Sequence, residues 1–291
     1  MKENDKTHRI NLLVTLNEAY LPHLNTMLFS ALACNKNCFF TVYLLHSALQ
    51  EEATDTTKRI LGDAGELILI RAGDHGLEDA PTTDRFPIEM YYRIFAAKYL
   101  PETVDRVLYL DPDIIVNGAL TELYELPMEE YFFAAASHNG TLMRKINGKR
   151  LKLEQGTPYI NSGVLLINLA LLREKQDYNA VFNYIRENKA RLLLPDQDVI
   201  SRLYGERIYK LDTYKYNMTE RLYQFHRFFG EKRELDWIRS NSVILHYCGK
   251  NKPWKENYSG KLNIFYKETV ARMREAEGKG EAFFFEKEMS I

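Results

Sequence analysis

What this 291-residue chain lacks narrows its class first. It has three cysteines, Cys34, Cys38 and Cys248, an odd number at sparse spacing. No disulfide framework is expected from them, and the pair in "CNKNC" has no second pair with which to build a zinc site. Free thiols point to a cytoplasmic protein. The longest apolar run, "VLLINLALL" (164–172), is interrupted by Asn168 and falls short of a membrane span. The opening "MKENDKTHRINLLVTL" is too polar for a secretory leader. Surplus charge is missing too. With 39 Lys+Arg against 40 Asp+Glu the formal net charge is −1, so no global field attracts nucleic acid or an anionic bilayer. Repeats, low-complexity tracts and Pro/Gly-rich linkers are absent, and one domain with a C-terminal extension is the simplest organisation.

What is present alternates between two periods. "INLLVTL" (10–16), "FFTVYLLH" (39–46), "ELILIRA" (66–72) and "VDRVLYL" (104–110) read as strands. Between them, "YLPHLNTMLFSALA" (20–33), "LQEEATDTTKRILGDAG" (49–65) and "IEMYYRIFAAKYL" (88–100) carry helical spacing, the last stopped by Pro101. The second half is less regular. There "YFFAAAS" (131–137), "SGVLLINL" (162–169) and "SVILHYCG" (242–249) read as strands. "LLREKQDYNAVFNYIREN" (171–188) and "DQDVISRLYG" (196–205) read as helices, and a helical tail follows Tyr258. Alternating strands and helices predict an α/β fold with a mainly parallel central sheet flanked by helices. Ligands bind such sheets beyond the carboxyl ends of the strands.

That edge is where the chain places two acids. In "RVLYLDPDIIV" (106–116) an apolar run ends in Asp111 and Asp113, separated only by Pro112. Residues i and i+2 of an extended segment point the same way, so both carboxylates can face one hard divalent cation, Mg²⁺ or Mn²⁺. Asp-Pro-Asp is also good turn chemistry, which leaves a solvated turn or a helix cap as the plain alternative. In "LHYCGKNKPW" (245–254), His246 closes a strand, Gly249 opens a turn, and Lys250 and Lys252 follow. The glycine lets backbone amides approach an anion, and the lysines supply point charges for phosphate. A histidine nitrogen beside two carboxylates moves the preference from magnesium toward a first-row metal such as manganese. The plain alternative is a core histidine before a basic surface loop.

Taken together, "LYLDPDIIV" and "LHYCGKNKPW" resemble the signature pair of glycosyltransferase family 8. This retaining family includes bacterial lipopolysaccharide galactosyl- and glucosyltransferases and glycogenin. "YYRI" (91–94), "YINSGVLLINL" (159–169) and "LPDQDVI" (194–200) follow the family's order, and the resemblance runs from about Ile10 to Trp254. It implies a GT-A fold, with residues 1–257 as the nucleotide-sugar-binding catalytic domain and 258–291 as a C-terminal helical extension. It implies a UDP-hexose donor and Mn²⁺ (or Mg²⁺) held by Asp111, Asp113 and His246. Lys252 and the backbone at Gly249 would then meet the diphosphate. Tyr20 would stack on uracil, Arg93 would lie across the donor sugar, and Asn161 would bind its hydroxyls. Gln197 would sit below the anomeric carbon, with Asp196 beside it on the sugar.

The same resemblance sets the partners: a glycan or glycolipid acceptor, no nucleic acid, and peripheral contact at the inner membrane face for an otherwise cytoplasmic chain. Three departures from the family pattern stand out. Asn17 and Glu18 in "LNEAY" occupy the positions before the tyrosine where the family usually shows acidic residues; His138 stands where a sugar-contacting aspartate is common; and the tail "GEAFFFEKEMSI" has the aromatics without the net positive charge. Two other functions compete. A metal-dependent nucleotidyltransferase would want a Gly-rich basic loop after the first strand, where this chain has "VTLNEAYLPH". A non-catalytic UDP-sugar-binding protein would not need an intact triad and phosphate lysine.

Overall fold

The structure, a computed structural model, describes residues 8–73, 76–77, 79–83, 87–137, 141–228 and 234–278. His138 and the aromatic tail lie outside the described residues. Nine strands occur among them: β1 (His8–Thr15), β2 (Cys38–His46), β3 (Gly65–Arg71), β4 (Arg106–Leu110), β5 (Ile114–Val116), β6 (Phe133–Ser137), β7 (Ile160–Asn168), β8 (Ile208–Leu211) and β9 (Ile244–His246). Seven form one sheet in the order β3-β2-β1-β4-β7-β6-β8, and β5 pairs with β9 in a small sheet of its own. In the large sheet only β7 runs against its neighbours, so the sheet is mainly parallel, as the α/β pattern predicts.

Alternation along β1 shows why these strands are apolar on both faces. Ile10, Leu12 and Val14 enter one core with Leu24 and Met27 of the helix Leu21–Cys34. Leu13 enters the opposite core with Tyr91, Phe95 and Val199. A strand covered on both sides has no solvent face to mark with polar residues. A third, smaller core lies under the β5–β9 pair, where Ile115 and Leu245 meet Tyr223, Tyr247 and Phe265. Phe265 belongs to the helix Asn263–Gly278, whose Met273 and Ala276 also pack against the first core.

Three sequence expectations are corrected here. The helix expected over 88–100 is broken into Glu89–Tyr92, a 3₁₀ turn at Arg93–Phe95, and Ala96–Tyr99. The tight turn falls at Arg93, whose guanidinium is tied across to β7. The helix expected over 171–188 is two helices, Leu169–Lys175 and Tyr178–Glu187. Asp177 separates them because its carboxylate caps the second, accepting from the Ala180 N–H at 3.1 Å. Finally, Asp111-Pro112-Asp113 is not one extended segment. It is the turn between β4 and β5, and the two carboxylates converge because the chain bends there.

Candidate active site

β4 ends at Leu110 and β7, running the other way, starts at Ile160. Their register, Leu110 opposite Val164, therefore sets Asp111 beside Asn161, Ser162 and Gly163. The Asp111 N–H donates to the Gly163 carbonyl at 2.8 Å. After the turn, β5 pairs antiparallel with β9, and Ile114 faces His246. That register carries a histidine from the far end of the chain to Asp113, and the Tyr247 N–H locks it by donating to the Asp113 carbonyl at 3.0 Å. One ligand atom from each of Asp111, Asp113 and His246 falls within 4.8 Å of the others. His246 Nε2 lies 3.2 Å from Asp113 Oδ1 and 3.6 Å from Asp111 Oδ2.

The histidine's orientation is fixed by a relay of amides. The Gly163 N–H donates to Asn161 Oδ1 at 3.1 Å, which identifies that atom as the oxygen. Asn217 must then turn its Nδ2 to the same oxygen, 2.9 Å away, and its Oδ1 to His246 Nδ1, also 2.9 Å away. An amide oxygen only accepts, so Nδ1 carries a proton, and Nε2 is the ring nitrogen turned toward the two acids, where it could ligate a cation.

The rest of the electrostatics answers how two adjacent acids survive near a core. Tyr109 Oη donates to Asp111 Oδ1 at 2.5 Å, and Arg93 Nη1 donates to it at 3.0 Å. The same Nη1 reaches the Ser162 carbonyl at 3.0 Å and lies 3.3 Å from Asp196 Oδ2. Its guanidinium carbon sits 4.1 Å from the centroid of the Tyr109 ring. Arg93 thus bridges two acids from a buried position. Burial opposes the charge on Asp113, yet His246 and Lys252 beside it outweigh that and hold its carboxyl below the usual carboxylate range. Lys252 Nζ pairs directly with Asp113 Oδ2 and donates to the Tyr247 carbonyl. Burial pushes the Asp196 carboxyl up, against the pull of Arg93.

A divalent cation fits these residues on three counts. The donor set of two carboxylates and one imidazole suits such an ion. Asp113 Oδ1 is buried and makes no well-aligned hydrogen bond, facing only His246 Nε2 at 3.2 Å, and a cation held between the two would satisfy both. Gly163 also leaves clear the ground between the ligands. A Cβ there would lie 2.3 Å from His246 Cε1 and 2.6 Å from Asp111 Oδ2.

All ten residues singled out in the sequence line one cavity of about 670 Å³: Tyr20, Arg93, Asp111, Asp113, Asn161, Asp196, Gln197, His246, Gly249 and Lys252. Asp196 and Gln197 open the helix Pro195–Tyr204, and both are buried. Gln197 Nε2 has no hydrogen-bond partner. Asp198, by contrast, is structural. Its carboxylate takes both terminal nitrogens of Arg150 at 2.7 Å, Tyr159 Oη at 2.8 Å, and the backbone N–H groups of Leu193 and Leu194. Capping therefore belongs to Asp198, and Asp196 is left to face Arg93. Gly249 has φ +107° with open space around it, a backbone that glycine adopts readily.

Four contributors went unread in the sequence. Asn217 and Glu89 had no local signal. His23, one turn after Tyr20, stacks on Trp254 at 3.5 Å between centroids; burial, with Asp113 pulling up and Lys252 pushing down, lowers it to about 4. Gly163 had a signal: a lone glycine inside an apolar strand marks a close approach.

Comparison with known proteins gives the arrangement its context. The chain matches the family model Glycosyl transferase family 8 over residues 11–258. It is similar to the lipopolysaccharide 1,2-glucosyltransferase of Escherichia coli, 25% identical over 293 residues, with 94% of this chain and 85% of that protein covered. The lipopolysaccharide 1,3-galactosyltransferase of Salmonella typhimurium is 29% identical, across 61% of this chain and 52% of that protein. Among solved structures, galactosyltransferase LgtC in complex with donor and acceptor sugar analogs superposes with a TM-score of 0.78 at 21% identity, over 93% of this chain and all (100%) of that one. Glycosyltransferase GlyE of Streptococcus pneumoniae gives 0.67 at 23% identity, over 94% of this chain and 64% of that one. These two likenesses bear on the fold, which is of the GT-A type. By the match that spans its strands from β1 to β9, the chain belongs to glycosyl transferase family 8 and is a glycosyltransferase.

Proposed function

We propose that this glycosyltransferase moves a hexose, glucose or galactose, from a UDP-sugar to a glycan or glycolipid acceptor with retention at the anomeric carbon. Asp111, Asp113 and His246 would hold Mn²⁺ or Mg²⁺. The observation that carries this reading is the meeting of that oxygen, oxygen and nitrogen set with Arg93, Asp196 and Gln197 in a single cavity. When bound, the cation supplies Lewis acidity to the two phosphates and offsets charge on the departing UDP.

The chain's own residues do the rest. Tyr20 offers its ring to the uracil face. Lys252 and the amide near Gly249 meet the diphosphate where negative charge grows as the sugar leaves. Arg93, braced by Asp111 and Asp196, lies along the donor sugar. Asn161, its oxygen committed to Gly163 and Asn217, is held rigidly toward the sugar hydroxyls. The sugar becomes oxocarbenium-like as the bond from its anomeric carbon to the phosphate oxygen breaks, the electron pair leaving with UDP. Gln197 is a neutral amide and a poor nucleophile. The acceptor hydroxyl therefore attacks from the face that UDP vacates, and the departing phosphate oxygen takes its proton. Lipopolysaccharide-directed relatives favour a glycolipid acceptor, which would bring the chain to a membrane as a peripheral protein. No helix among the described residues is long and apolar enough to cross one.

The test is UDP release from a panel of UDP-hexoses with Mn²⁺, with product anomeric configuration read by NMR. Asp113→Ala should abolish turnover and metal-dependent UDP binding. Full activity of the metal-stripped protein would refute the proposal. Pyrophosphate release from UTP would indicate a nucleotidyltransferase, and binding without turnover a non-catalytic protein.

A further inference from the structure

One buried acid in the cavity takes no part in the chemistry above. Glu89 opens the short helix Glu89–Tyr92, is 5% exposed, and lines the same cavity as the triad. Its Oε1 accepts from Ser47 Oγ at 2.5 Å. Ser47 directly follows β2, and Arg71 Nε fixes its carbonyl at 3.2 Å. A carboxylate has about four lone-pair sites, and Ser47 accounts for one.

Position gives this acid its meaning. The strand order β2-β1-β4-β7 lays out the floor of the cavity in sequence. Strands lie about 4.8 Å apart, so Ser47 at the end of β2 stands roughly 10 Å from Asp111 at the end of β4. Asn161 and Ser162, on β7, lie on the far side of β4. Asn17 and Tyr20, which follow β1, lie between the triad and Ser47 and line the cavity too. A donor whose diphosphate rests at β4 and whose sugar lies toward β7 must extend its nucleoside across β1 toward β2. Glu89 and Arg93 are four residues apart, at the start of the short helix and in the 3₁₀ turn that follows it, and both line the cavity. Arg93 serves the acids of the phosphate and sugar end; Glu89 sits at the other end with Ser47. A carboxylate repels phosphate, so a favourable partner at that distance is an uncharged hydrogen-bond donor.

We propose that Glu89, oriented by Ser47, is the specificity residue for the nucleoside end of the donor, accepting a hydrogen bond from the uracil N3–H or a ribose hydroxyl. The assignment rests on the nucleotide-sugar reading of the cavity. Cytosine carries a lone pair at N3 instead of a proton, so the carboxylate rejects it. The glutamine variant, which can both donate and accept, tolerates either base.

Calorimetric titration of wild type, Glu89→Gln, Glu89→Ala and Ser47→Ala with UDP, CDP and 2′,3′-dideoxy-UDP, each with MnCl₂, tests this. Wild type should prefer UDP to CDP, and Glu89→Gln and Glu89→Ala should narrow that preference by about tenfold or more, the worth of a charged hydrogen bond. Ser47→Ala should shift it in the same direction by less. If the narrowing appears only between UDP and the dideoxy nucleotide, the partner is the ribose, and the assignment stands. If the folded variants bind UDP with both preferences unchanged, Glu89 does not read the nucleoside and the assignment falls, while the transferase reading survives. If wild type binds none of the three, the nucleotide-sugar reading itself falls and takes this one with it.

Discussion

Replacing Gly163 with alanine isolates the meaning of the triad's geometry. Gly163 lies in β7 with an ordinary extended backbone, so alanine introduces no local strain. Its Cβ would instead lie 2.3 Å from His246 Cε1, 2.6 Å from Asp111 Oδ2 and 2.9 Å from His246 Nε2. Ordinary carbon contacts begin near 3.5 Å, so the imidazole and the carboxylate must separate from β7 by about 1 Å. Neither can do so freely. The imidazole is held by Asn217 and by the β5–β9 register, and Asp111 by Tyr109, Arg93 and its own backbone bond to Gly163. Overpacking of this kind costs about 1 to 3 kcal/mol of stability. A misplacement near 1 Å costs roughly 100-fold in rate, and disturbed metal ligands lose about 10- to 100-fold in affinity. The assays are thermal unfolding, Mn²⁺ titration and Mn²⁺-dependent UDP release. Gly148→Ala is the control: it sits in the helix Thr141–Leu151 with nothing within 4 Å of an added Cβ, and should gain about 0.5 to 1 kcal/mol. Gly163→Ala with metal affinity and turnover within threefold of wild type would refute a cation site between these side chains.

Further outcomes follow from the same contacts. Asn217→Leu removes the acceptor that fixes the His246 tautomer, and should weaken Mn²⁺ binding by about 10- to 100-fold in titration while the protein stays folded. Arg150→Ala leaves the fully buried Asp198 without the guanidinium that pairs with it and should cost about 3 kcal/mol in urea unfolding, with Asp198→Asn in the same background restoring part of it. Cys248 is exposed at the surface, yet the protein packed around its thiol and the nearby Asp113 carboxylate push the thiol up to about 11, so iodoacetamide should label it slowly at pH 7.5. Mass spectrometry should show the rate climbing about tenfold per pH unit toward that value, because only the thiolate reacts.

Much of the fold was legible because its strands are buried on both faces. β1 to β4 each present a mostly apolar run, and helical segments separate them. β5 and β8 were not legible. Ile114–Val116 reads as the continuation of β4, and Ile208–Leu211 offers too few residues to establish a period of two. The helices Thr141–Leu151 and Glu220–Phe228 are polar, the first with a glycine in its interior, and their formation owes more to packing than to propensity. In the site, the charged and aromatic residues that fall within the quoted motifs stood out, whereas Glu89, His23 and Asn217, which stand outside them, and Gly163, which acts by shape, went unread.

Residue order alone determined the alternating architecture, the acids at a strand end and the basic glycine-bearing loop, because burial on two faces and the scarcity of carboxylates in apolar runs are local rules. Only the folded chain decided that these parts form one centre. The β5–β9 register brings His246 to Asp113, a bent rather than extended Asp-Pro-Asp aims both acids inward, and Arg93 reaches from a broken helix to bind two acids at once. Such distances are set by strand register and core packing between segments far apart in sequence, and no local pattern encodes them.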